Sequence, residues 1–192
     1  MQYQPPTPQP DINRAGSCGT FCPSCKIYIA TRDHAELQKR IAESLHLPTV
    51  SLECQGCRSD SNYHVHQACH IRHCAAAQGY IFCGECPDYP CETLLQYHTD
   101  QPHRLEILAN QDRIQEAGFE TWFDEMIVRY SCPECGTLNS AYHLTCPTCR
   151  CTPSCAYVND HRGEIIAYLS DPNRRPTGPF TRRQSGTEAS QR

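Results

Sequence analysis

The chain has 192 residues and a formal net charge of −4; Leu, Ile, Val and Phe together number only 31, about 16%, while Cys numbers 16. So little large apolar matter excludes a fold held by hydrophobic burial alone, and so low a charge argues against a chain kept open by self-repulsion. No apolar run approaches the roughly 20 residues needed to span a bilayer. The missing stabilisation is expected from the cysteines.

Residues 1–16 are polar and proline-rich and are expected to be disordered. Met1-Gln-Tyr-Gln-Pro-Pro has neither the basic start nor the apolar centre of a secretory leader, so the thiols are expected to stay reduced, in a cytoplasmic setting, and available to metal. Residues 17–98 form a cysteine-rich metal-binding domain with short helices. Asp33-His-Ala-Glu36 has the form of a capping box, followed by Leu37, Ile41 and Leu45 on one face before Pro48. A second helix is expected over about Ala68–Gln78, ending at Gly79.

Residues 99–130 read as a helical linker, free of cysteine. Its first half, from about Asp100 to Ala117, is irregular and ends at Gly118. In its second half Phe119, Trp122, Phe123, Met126, Ile127 and Tyr130 follow helical spacing. A chain this short of apolar residues is expected to use that stripe as core; a docking face is the alternative. Residues 131–156 read as a zinc ribbon, and 171–192 as a disordered basic tail carrying Arg174, Arg175, Arg182, Arg183 and Arg192. The fold class is small, metal-stabilised α+β.

Within the ribbon, Cys132-Pro-Glu-Cys135 and Cys146-Pro-Thr-Cys149 are two C-x-x-C turns joined by a short hairpin. Each presents two thiolates to one side, and together they make the tetrahedron that zinc accepts at about 2.3 Å per bond. Pro133 supplies a fixed φ and Gly136 a permissive one for the tight turn. Rubredoxin-type iron is the alternative ion. Cys151 and Cys155 fall outside this set, either as spare thiols or in an incomplete site with His161.

In the cysteine-rich domain, loop-closure entropy favours local ligand sets. Cys54, Cys57, His66 and Cys69 then form one quartet, and Cys74, Cys83, Cys86 and Cys91 another. Cys18, Cys22 and Cys25 remain as a trio, compatible with a distant fourth ligand or with an iron–sulfur cluster. Spacing also allows sites that mix these groups.

The segments Cys18-Gly-Thr-Phe-Cys22-Pro-Ser-Cys25, Leu52-Glu-Cys54-Gln-Gly-Cys57, Cys69-His-Ile-Arg-His-Cys74 and Cys83-Gly-Glu-Cys86-Pro-Asp-Tyr-Pro-Cys91 resemble those of an uncharacterised microbial cysteine-rich family, catalogued as a domain of unknown function. The likeness runs from about Cys18 to about Tyr97. It implies a metal-binding domain, zinc or iron–sulfur, with no settled activity, followed in several members by a helical stretch and a ribbon. Members often carry cysteine where this chain has His66, an exchange that zinc tolerates better than an iron–sulfur cluster does.

No Ser/His/Asp set, phosphate-cradling glycine loop or H-E-x-x-H helix is present. The expected function is a metal-binding, multi-zinc protein acting as a structural and protein-interaction module. An iron–sulfur redox or metal-sensing protein is the alternative. Nucleic-acid binding through the ribbon is a second one, disfavoured by the sequence pI of about 6.2.

Overall fold

Short apolar bursts broken by Pro, Gly and Cys dictate short helices. The computed structural model describes residues 9–59, 68–98 and 101–172. Among these the α-helices are α1 (Lys26–Asp33), α2 (Ala35–Ser44), α3 (His70–Gln78), α4 (Glu92–His98), α5 (Ile107–Ala117), α6 (Phe119–Tyr130), α7 (Ala156–Asp160) and α8 (Arg162–Ser170). No helix among them is long and apolar enough to cross a membrane.

Several boundaries follow the sequence closely. Gly79 closes α3 in the left-handed conformation, φ 76°, which glycine adopts without a Cβ penalty. Gly118 separates α5 from α6. Others differ. Asp33 caps nothing: it is the last residue of α1, with its carboxylate paired to Arg32, and α2 starts after His34 with no side-chain cap. The stretch 1–16, expected to be disordered, already contains folded backbone. Asp11 caps a 3-10 turn at Ile12–Arg14, and Ala15 is buried.

The β component expected in the fold class reduces, among the described residues, to two isolated antiparallel bridges, Ala15–Phe21 and Ser131–Leu138. The structure is mostly helical. In the 131–156 segment the Ser131–Leu138 bridge is flanked by Cys132 N–H to Thr137 O (2.9 Å) and Asn139 N–H to Tyr130 O (2.8 Å), and Cys146 N–H donates to Cys151 O (2.9 Å). Pro133, Pro147 and Pro153 lack the N–H groups that a longer ladder needs.

The largest apolar cluster is built around α6. Trp122, Phe123, Met126 and Tyr130 are buried, so the stripe is core. From one side Phe21 meets Trp122, Phe123 and Tyr130 with ring centroids 6.0, 5.1 and 5.7 Å away. From the other, Tyr157 of α7 stacks on Tyr130 at 4.6 Å. Such pairs add about 0.5–1.5 kcal/mol each beyond area burial. The stretch expected as a linker therefore joins both cysteine regions into one core. A polar clamp lies beside it: Arg129 donates to Glu106 and, at 3.1 Å, to Asp160, while His161 Nε2 lies 2.8 Å from Glu106.

Candidate metal centre

None of the sixteen cysteines is disulfide-bonded. Cys132, Cys135, Cys146 and Cys149 place their sulfurs within 4.8 Å of one another, and among the described residues no other set of three or more His, Cys, Asp or Glu ligand atoms does so. Cys132 and Cys149 are 3.5 Å apart, and Cys135 and Cys146 3.7 Å. A tetrahedron with metal–sulfur bonds of about 2.3 Å has sulfur–sulfur edges of about 3.8 Å. The residues present therefore fit a single ion. A cluster with bridging sulfides would hold its four terminal sulfurs farther apart.

The two turns are built alike. Gly136 N–H donates to Cys132 O at 2.9 Å and Arg150 N–H to Cys146 O at 3.0 Å. Both turns end in the left-handed region, Gly136 at φ 69° and Arg150 at φ 67°. The motif announced the first of these; nothing in the sequence announced an arginine in that role. Asn139, wholly buried, ties the hairpin to the segment that follows it, donating from Nδ2 to Thr137 O and to Ser154 O, each at 3.0 Å.

Two of the four thiols, Cys135 and Cys149, are shifted in opposite directions. At Cys135 burial opposes ionisation, but hydrogen bonds with Thr137 and with the Cys149 and Cys132 thiols outweigh it and bring the group down to about 6. At Cys149 the Cys151 amide favours the thiolate, yet burial and the thiols of Cys135, Cys132 and Cys146 push it up to about 12. Protons are thus shared unevenly: the Cys135 sulfur ionises readily while Cys149 holds its proton. A bound dication is what allows all four to ionise together, with release of protons.

Cys155 is only 1% exposed and belongs to the aromatic core rather than to a site with His161, which engages Glu106. Cys151 lies beside Cys132, and its carbonyl accepts from Cys146 N–H at 2.9 Å.

In the first cysteine region the trio meets part of the first expected quartet. Cys18, Cys22, Cys25, Cys54, Cys57 and Cys69 line one cavity of about 60 Å3. His66, the fourth member of that quartet, lies outside the described residues. The second expected quartet is not brought to within 4.8 Å; the Cys83 thiol is raised by burial and then by the charges of Cys18, Cys91, Cys74 and Cys86. Gln111 was not legible as a site residue. Wholly buried on α5, it accepts from Gly84 N–H and donates to Ser17 O, both at 2.8 Å, so it braces the backbone beside Cys83 and Cys18.

Residues 14–96 match the family model described as Protein of unknown function (DUF3795). This is the cysteine-rich region in which the resemblance was read. No curated protein and no solved structure matches the chain.

Proposed function

We propose, for a chain whose residues 14–96 carry the domain of that family, that it is a zinc protein whose ions are structural, with a ribbon at Cys132, Cys135, Cys146 and Cys149, and that it works as a protein-interaction module. The reading rests on the four sulfurs that lie mutually within 4.8 Å. Four protein thiolates complete a tetrahedral zinc shell and leave no position for water, which is the mark of a structural site rather than a catalytic one. A surface groove of about 580 Å3 runs beside the ribbon, lined by Ile127, Val128, Pro133, Pro153 and Ala156. Val128 is 75% exposed there, apolar surface of the kind that contacts another protein.

Elemental analysis of anaerobically purified full-length protein tests the metal. Zinc supports the reading; iron with acid-labile sulfide refutes it. The module role is tested by affinity capture with a V128E variant that keeps wild-type metal content. Loss of the partners captured by wild type supports a contact face beside the ribbon, and an unchanged set removes it.

A further inference from the structure

The six cysteines lining the N-terminal cavity divide by packing. Cys22, Cys54, Cys25 and Cys57 belong to the apolar cluster of Ile27, Tyr28, Ala42 and Leu52. Cys18 and Cys69 belong to the cluster of Ile71, Leu94 and Ile107, together with Cys83. The first four are two C-x-x-C turns, Cys22-Pro-Ser-Cys25 and Cys54-Gln-Gly-Cys57, the same construction as the pair at the ribbon.

The geometry points to a second four-thiolate site, formed by Cys22, Cys25, Cys54 and Cys57 from turns that lie about 30 residues apart in the chain, which takes one divalent ion of the zinc class.

Four observations support it. Cys57 N–H donates to Cys22 Sγ at 3.3 Å, so the two turns already touch. Cys25 precedes α1, and the amides of Ile27 and Tyr28 point at its sulfur. Thr31 anchors the opposing turn, donating from its hydroxyl to Leu52 O at 3.0 Å and accepting from Cys54 N–H at 3.3 Å. Gly56, at φ 129°, packs so closely on Asn13 that a Cβ would collide with the Asn13 carbonyl. This glycine lets the turn lie against the chain just before Cys18. The four sulfurs lack the mutual 4.8 Å spacing of the ribbon set; they share the lining of one cavity, and binding one ion would require them to close on it. Four thiolates and one dication leave a net double negative charge, and the guanidinium groups of Arg72 and Arg58 lie near Cys57.

Loading the full chain with cadmium-113 and recording couplings from the metal to cysteine β-protons tests the grouping. One cadmium resonance is expected to couple to Cys22, Cys25, Cys54 and Cys57, and a separate one to Cys132, Cys135, Cys146 and Cys149. A cadmium that joins Cys54 and Cys57 to Cys69 but not to Cys22 and Cys25 overturns the inference, as does the absence of any coupling at these four. C22S and C54S are each expected to lower bound metal by about one equivalent while the ribbon resonance persists. Should either variant unfold, the wild-type couplings decide alone. The ribbon's own resonance is read separately, so failure here and failure of the proposed function are distinguishable.

Discussion

The side-chain amide of Gln111 donates to the Ser17 carbonyl at 2.8 Å. That carbonyl also accepts from Cys83 N–H at 2.8 Å, while the other end of the same amide holds Gly84 N–H. A single buried side chain thereby sets the distance between the loop of Cys18 and the loop of Cys83. Gln111→Ala leaves the Gly84 N–H buried without its acceptor, a loss of about 1–3 kcal/mol. Chemical denaturation of the metal-loaded protein measures it. A midpoint equal to wild type would show that the brace carries no energy.

Phe21 is held by three rings of α6 and directly precedes Cys22. Phe21→Ala is expected to cost about 3–5 kcal/mol, as other large-to-small core changes do. Thermal melts and the near-ultraviolet dichroism of Trp122 report it. Both should fall together, since Phe21 and Trp122 share one core.

Two cysteines of the second region behave oppositely. Cys135→Ser removes a ligand from the set within 4.8 Å and is expected to lower zinc content by about one equivalent per chain. Cys155→Ala, in the aromatic core, is expected to leave zinc content unchanged. Elemental analysis separates the two. Equal zinc loss in both would place Cys155 in the shell instead.

What could be read from the sequence was what is local. The two C-x-x-C turns at Cys132 and Cys146 and helix α6 emerge from contiguous spacing, and His70–Gln78 from its closing glycine. The meeting of Cys22 with Cys57 did not emerge, because ranking ligand sets by loop length favours neighbours, whereas packing of Ile27, Tyr28 and Leu52 brings distant turns together. Helix α1 carries little helical signal of its own, since Ile27, Tyr28 and Ile29 are β-branched or aromatic residues of lowered helix propensity. Gln111 and Asn139 were overlooked because a solitary buried amide leaves no periodic trace.

Alkaline pH should unfold the protein through its buried tyrosines. Burial, then the nearby Tyr157 and Glu106 charges, hold the Tyr130 hydroxyl well above its ordinary 10. Burial does the same at Tyr97. Raised folded-state values mean that this stabilisation is complete below about pH 10 and is lost as pH rises further. Phenolate absorbance followed against pH is expected to rise late and together with loss of helix signal. Gradual ionisation in a still-folded chain would contradict it.

Arg150 occupies a left-handed position, φ 67°, equivalent to that of Gly136. Arg150→Gly is expected to raise the stability of the metal-loaded protein by up to about 1 kcal/mol, because glycine carries no Cβ penalty there. Thermal melting of the two proteins checks the sign.

The contact of Phe21 with Tyr130 spans more than half of the sequence. On a ribosome adding about 5–20 residues per second, the first cysteine turns leave the exit tunnel several seconds before the helix that packs on Phe21. During that interval Phe21 lacks its core partners and the thiols beside it meet whichever ion or oxidant is abundant. Any metal that the first half takes up would therefore be selected partly by the order of synthesis and not only by affinity in the finished protein.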